Sequence, residues 1–126
     1  MATRIGQLRR DALVKAFHEA LKTAPLMMEA FEMVTRMPAP RFYITFERAK
    51  RLITAHHKGH VVYSNIHKRV MIAELHKRWV AAGMTDEALL KIITQPAPSF
   101  YVTKDTVMVT VYNELRKKKK RIWQDC

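Results

Sequence analysis

Pro38-Ala39-Pro40-Arg41-Phe42-Tyr43-Ile44-Thr45 returns later in the chain as Pro96-Ala97-Pro98-Ser99-Phe100-Tyr101-Val102-Thr103. Six of the eight positions are identical, and Ile44/Val102 is a conservative exchange. The same shift of 58 residues, without a gap, aligns Glu29-Ala30 with Glu87-Ala88 and His18 with His76. It also aligns Leu8, Ala12, Leu13, Phe17 and Leu21 with Ile66, Val70, Met71, Leu75 and Trp79. An apolar register that persists over about 38 residues points to an internal duplication.

The local signals agree between the two copies. Leu8, Ala12, Phe17, Ala20 and Leu21 recur at helical spacing, with Asp11, Lys15, Glu19 and Lys22 mostly elsewhere on the helix. Ile66, Val70, Leu75 and Trp79 repeat the pattern, opening after Asn65 as an N-cap and stopping at Gly83. A second helix is expected near 26–37 and 86–95, the latter opened by Thr85-Asp86-Glu87. Both end ahead of the Pro-Ala-Pro segment, because proline disfavours helix in the residue before it. That segment reads as a rigid extended turn, with Phe42, Tyr43, Phe100 and Tyr101 anchoring it to the core. Thr45 and Thr103 stand at N-cap positions, and a third helix follows at about 46–56. Its counterpart is ambiguous: Val107-Met108-Val109-Thr110-Val111 has strand propensity, while Val107, Val111 and Leu115 fit a helical stripe. The duplication decides for helix. Residues 58–65 form the connector.

The expected architecture is therefore all-α: two pseudo-repeated three-helix units, about 8–55 and 66–115, packed around one shared core in a single compact domain. Phe17, Leu21, Leu52, Ile53, Leu75, Trp79 and Leu89 are the expected core, since neither unit of about 50 residues stands alone easily. The last two helices of each copy resemble a helix-turn-helix, although the stretch of about eight residues between them is longer than usual.

Charge is the outlier of the composition. The 126 residues hold 23 Lys and Arg against 11 Asp and Glu, a formal net charge of +12. Such an excess opposes compaction and attracts polyanions: nucleic acid first, then an acidic protein or an anionic membrane. The excess is also clustered. From Arg36 to Ala81 stand Arg36, Arg41, Arg48, Lys50, Arg51, Lys58, Lys68, Arg69, Lys77 and Arg78, opposed only by Glu47 and Glu74. Lys104 follows, and then Arg116, Lys117, Lys118, Lys119, Lys120 and Arg121 in a row, read as a flexible basic tail over 116–126 that tracks phosphates. All of these except Arg36 are candidate nucleic-acid-binding residues. Trp123, beyond the run, has three readings: docking on the core, base stacking or a partner contact.

Other chemistries find little purchase. His56-His57-x-x-His60 invites a metal, but only His56 and His60 share a helix face and no cysteine or acid completes four ligands. No metal or cofactor is expected. There is no phosphate-cradling glycine loop, paired-acid motif or Cys/His couple, so no catalytic residue is assigned and the chain reads as a non-enzyme. The lone Cys126 fits a reducing compartment. No apolar run approaches the roughly 18 residues needed to span a bilayer, and the opening Met1-Ala2-Thr3-Arg4-Ile5-Gly6 lacks the apolar core of a signal peptide. Eight methionines suit an interior or an adaptable protein-binding surface. The second expectation is thus an accessory or scaffold subunit of a polymerase, reverse transcriptase or packaging complex, in a nucleoprotein or virion assembly.

The repeated phrase and its flanking helices resemble small uncharacterised basic helix-turn-helix-like proteins of bacterial mobile elements or phage. That resemblance implies a bacterial cytoplasmic setting or carriage with a phage or mobile-element nucleoprotein. It supplies no site residues.

Overall fold

A computed structural model describes residues 4–60 and 65–124, with side chains described as far as Lys117. Among these residues the protein is helical: α1 (Arg4–Leu21), α2 (Met27–Arg36), α3 (Phe46–His57), α4 (Ile66–Ala81), α5 (Asp86–Ile92) and α6 (Lys104–Gln124). The expected helix ends are set by identifiable groups. Asn65 Oδ1 accepts the backbone N–H groups of His67 and Lys68, and Thr45, Thr85 and Thr103 hydroxyls accept those of Arg48, Ala88 and Thr106. At the other end of α4, Gly83 takes φ +97°. There the Met84 N–H donates to the Trp79 carbonyl at 2.9 Å and the Gly83 N–H to the Val80 carbonyl at 3.2 Å. This is a Schellman closure, and the left-handed residue it requires explains why a glycine stops the helix.

The ambiguous 104–115 stretch is helical, and α6 continues through Gln124. The flexible tail expected from residue 116 is therefore corrected as far as Gln124: the six cations sit on helical backbone. The second helix of each copy is shorter than expected, closing at Arg36 and at Ile92. Of the connector, residues 61–64 lie outside the described residues.

The packing units are not the sequence copies. One compact unit is Met1–Met37 with Val102–Cys126, and the other is Pro38–Tyr101. In the first, α1, α2 and α6 pack on one another; in the second, α3, α4 and α5 do. Each unit thus takes its first two helices from one copy and its third from the other. Within its unit α3 packs against α4 and α5. The consecutive helices expected to form a helix-turn-helix, α2 with α3 and α5 with α6, fall on either side of the division between the units.

The first unit buries Leu13, Val14, Phe17, Phe31, Val34, Val107 and Val111. Phe17 stacks on Phe31 at 4.8 Å between ring centroids, and Tyr112 meets Phe31 edge-on at 5.8 Å. The second unit buries Phe42, Leu52, Ile53, Ile72, Leu75, Trp79, Leu89 and Phe100. Six of the seven expected core residues are buried. Leu21 is the exception at 37 % exposed, as the last residue of α1, whereas its counterpart Trp79 reaches on to donate its indole N–H to the Thr85 carbonyl. Positions 58 residues apart are buried together at Val14/Ile72, Phe17/Leu75, Phe31/Leu89, Val34/Ile92, Ala49/Val107 and Ile53/Val111.

The two proline phrases, the later one as far as Tyr101, meet inside the second unit. Ala39 and Ala97 exchange both backbone hydrogen bonds, at 3.0 and 2.9 Å, as an isolated antiparallel bridge. Phe42 stacks on Tyr101 at 6.2 Å and Tyr43 on Phe100 at 6.1 Å. The pairing is reciprocal, each copy lending its Phe to the other copy's Tyr. Both Phe rings are buried and both Tyr rings half-buried. Burial raises both phenol pKa values above the ordinary tyrosine range.

Candidate nucleic-acid interface

The ten cations between Arg36 and Ala81 divide by what they touch. Arg78 is a strut. Its guanidinium bonds Glu74 at 3.0 Å and the Pro96 carbonyl at 3.0 Å, and lies 4.9 Å from the centre of the Phe42 ring. It thereby ties α4 to both copies of the proline phrase. Arg41 is also partly engaged, donating from Nε to the Phe42 carbonyl at 3.1 Å and lying 6.0 Å from the Tyr43 ring centre. Lys50 pairs with Asp86 of α5 at 3.0 Å. Arg36, on α2, pairs with Glu32 at 2.9 Å.

Arg48, Arg51, Lys58, Lys68, Arg69 and Lys77 are exposed. On α3 the apolar residues Ala49, Leu52 and Ile53 fix the buried side. Arg48 and Arg51, spaced i, i+3, share one outward side, and Lys58 at the C-cap continues that stripe. Lys50 falls on the opposite flank, so the basic helix face is narrower than the sequence suggested. Lys68 and Arg69 stand in the opening turn of α4, which holds no acidic residue. Cations are disfavoured there by the positive end of the helix dipole, and an anion is favoured.

In the first unit, Lys104 is half-buried at the start of α6, Arg116 is exposed and Lys117 pairs with Glu114 at 3.2 Å. Glu114 also takes Arg10 of α1 at 3.2 Å. Lys118, Lys119, Lys120 and Arg121 ride on the α6 backbone, and their side chains lie outside the described residues, as does that of Trp123.

The structure also assembles a histidine group that sequence spacing missed. His56 and His57 end α3, and His76 of α4 meets both. His57 Nδ1 and His76 Nε2 are 3.0 Å apart, and the His56 and His76 ring centres 4.8 Å. The ring of Trp79 stands edge-on to His57 at 6.2 Å. Burial, then the charges of His56 and His57, lower the His76 pKa below the ordinary histidine range. His60 is exposed. Among the described residues no group of three or more His, Cys, Asp or Glu is placed to hold a metal ion, and no helix is long and apolar enough to cross a membrane.

No protein-family model matches the chain, and neither a curated protein nor a solved structure was found to be similar to it.

Proposed function

We propose that the chain is a non-enzymatic nucleic-acid-binding protein, of DNA or RNA, acting from the cytoplasm or within a phage or mobile-element nucleoprotein. The observation that carries this reading is the pair of exposed cationic groups on the second unit: Arg48 and Arg51 on α3, and Lys68 and Arg69 in the first turn of α4. A cation pair in the first turn works against helix stability, and phosphate is the partner that turns this cost into affinity. The basic end of α6, cationic around its axis, adds affinity without discrimination. Under the same reading the chain is a duplicated three-helix unit whose copies have exchanged their third helices, so one copy diverged into the basic surface.

Fluorescence-anisotropy titrations against duplex DNA, single-stranded DNA, duplex RNA and structured RNA at two salt concentrations test it. Expected is binding whose log affinity falls by about 0.9 per neutralised phosphate on duplex DNA per unit of log salt. Affinity that ignores salt, or no binding to any of the four, sinks the reading. One observation favours the accessory-subunit alternative: Leu26, Met27, Met28, Val109 and Tyr112 of the first unit are exposed apolar residues, with Tyr112 Oη 3.9 Å from the Met27 sulfur. Nucleic-acid binding only in the presence of a protein partner would favour it.

A further inference from the structure

We infer that His56, His57 and His76 form an acid-sensitive latch that holds α3 against α4 at neutral pH and releases it as the cluster fills with protons. The geometry is specific about proton number. A hydrogen bond between two imidazole nitrogens needs one N–H and one lone pair. The 3.0 Å contact of His57 Nδ1 with His76 Nε2 therefore survives with both rings neutral or with one protonated. With both protonated, two N–H groups face each other and the bond is lost. His56, in ring contact with His76 at 4.8 Å, adds a third charge to the same spot.

The surroundings offer little compensation. On helical spacing, α3 brings Lys50 to the side of His57, and Lys58 follows at the C-cap; α4 brings Arg69 to the side of His76, with Lys77 beside it. α5 carries Asp86, already occupied by Lys50 at 3.0 Å, together with Glu87 and Lys91. Glu74 of α4 points to the far flank, held by Arg78. The latch also borders the core, since His57 and His76 both lie against Trp79, the residue whose indole joins the end of α4 to the cap of α5.

The direction follows from linkage. Because the folded His76 binds protons less readily than an ordinary histidine, the unfolded chain takes up more protons as pH falls below the usual value of about 6.5. Folding stability of the second unit therefore declines from that point downward. The decline stops once the folded-state pKa has been passed. Each unit of pKa difference corresponds to about a tenfold loss in the folding equilibrium. The latch belongs to the packing of the second unit and stands whether or not that unit binds nucleic acid.

The test is hydrogen exchange on the full chain between pH 7.5 and 5.0, corrected for the intrinsic exchange rate, alongside an imidazole titration by NMR. Protection of α3 and α4 amides should fall relative to that of α1 and α2 amides as the pH drops. His76 should take up its proton below the ordinary histidine range. His76→Gln should remove most of that pH dependence, and His60→Gln should leave it intact. Should His76→Gln not fold, His57→Asn gives the same reading. Equal loss in both units, no loss at all, or a wild-type pH profile in both latch variants overturns the inference.

Discussion

α3 and α6 do the same packing work, each closing a helix pair drawn from the other copy, yet they show solvent opposite chemistry. At the shift of 58 residues, Arg48, Lys50, Arg51 and Thr54 of α3 correspond to Thr106, Met108, Val109 and Tyr112 of α6. Across from them, Asp86 of α5 corresponds to Met28 of α2, so the Lys50–Asp86 ion pair has a methionine at each equivalent position. Total charge does not separate the units. Pro38–Tyr101 holds ten Lys and Arg against four Asp and Glu, and the rest of the chain thirteen against seven. The difference lies in arrangement: cations on the mid-helix surface in one unit, apolar side chains there in the other. A repeated buried register leaves the outward positions free to differ.

The largest effect expected from breaking the comparison is on the cores. Phe31→Ala and Leu75→Ala should each cost roughly 2–5 kcal/mol, measured by chemical denaturation. Hydrogen exchange should place the Phe31 loss in α1, α2 and α6, and the Leu75 loss in α3, α4 and α5. Loss spread evenly over all six helices would merge the two units into one cooperative body.

Arg78→Met comes next, at about 2 kcal/mol, through the lost bond to the Pro96 carbonyl and the lost contact with Phe42. Nucleic-acid affinity of the folded variant should stay close to wild type. A large loss of affinity without loss of stability would return Arg78 to the binding surface.

Much of the fold was legible in sequence. The Asn65 and Thr85 caps and the Gly83 stop follow from local chemistry alone, since Gln7, Met27 and Pro25 stand 58 residues earlier. The Thr45 and Thr103 caps recur at that shift, and the likeness to 46–56 decides the ambiguous 104–115 stretch as helix. The exchange of third helices was not legible. The apolar stripes of α3 and α6 match one another at the 58-residue shift, so the stripes alone do not say which helix pair each one joins. Among candidate site residues, charge identified Arg48, Arg51, Lys68 and Arg69 as exposed cations, but could not tell them from Arg78. The strut role depends on the ring of Phe42 and the carbonyl of Pro96, both distant in sequence.

A smaller effect sharpens the contrast between the two third helices. Arg48→Gln with Arg51→Gln should lower affinity about tenfold at low salt and reduce the salt slope by about two. Val109→Gln, at the position matching Arg51, should leave both unchanged. If the α6 substitution weakened binding as much as the α3 pair, the assignment of the interface to the second unit would be wrong.

The smallest effect tests the likeness and not the difference. Thr45→Ala and Thr103→Ala remove equivalent caps, and each should cost about 1 kcal/mol in thermal or denaturant unfolding. A cost in one copy alone would mean that the two third helices are held in place differently.

The exchange of helices also sets a timetable for the newborn chain. The second unit is continuous, Pro38–Tyr101, whereas the first waits for α6, which is made only after the whole of the second. At about 5–20 residues per second, the ribosome needs roughly 3–13 s to cross the intervening stretch. During that interval α1 and α2 exist without α6, with Phe17 and Phe31 lacking the layer formed by Val107 and Val111. Once the second unit has formed, it spans the gap as a folded insert instead of a slack loop, which reduces the entropy lost in bringing α6 back to α1 and α2. Early termination anywhere in α6 would thus leave an exposed apolar helix pair on a chain whose second unit is already folded, and such chains would be marked for aggregation or proteolysis.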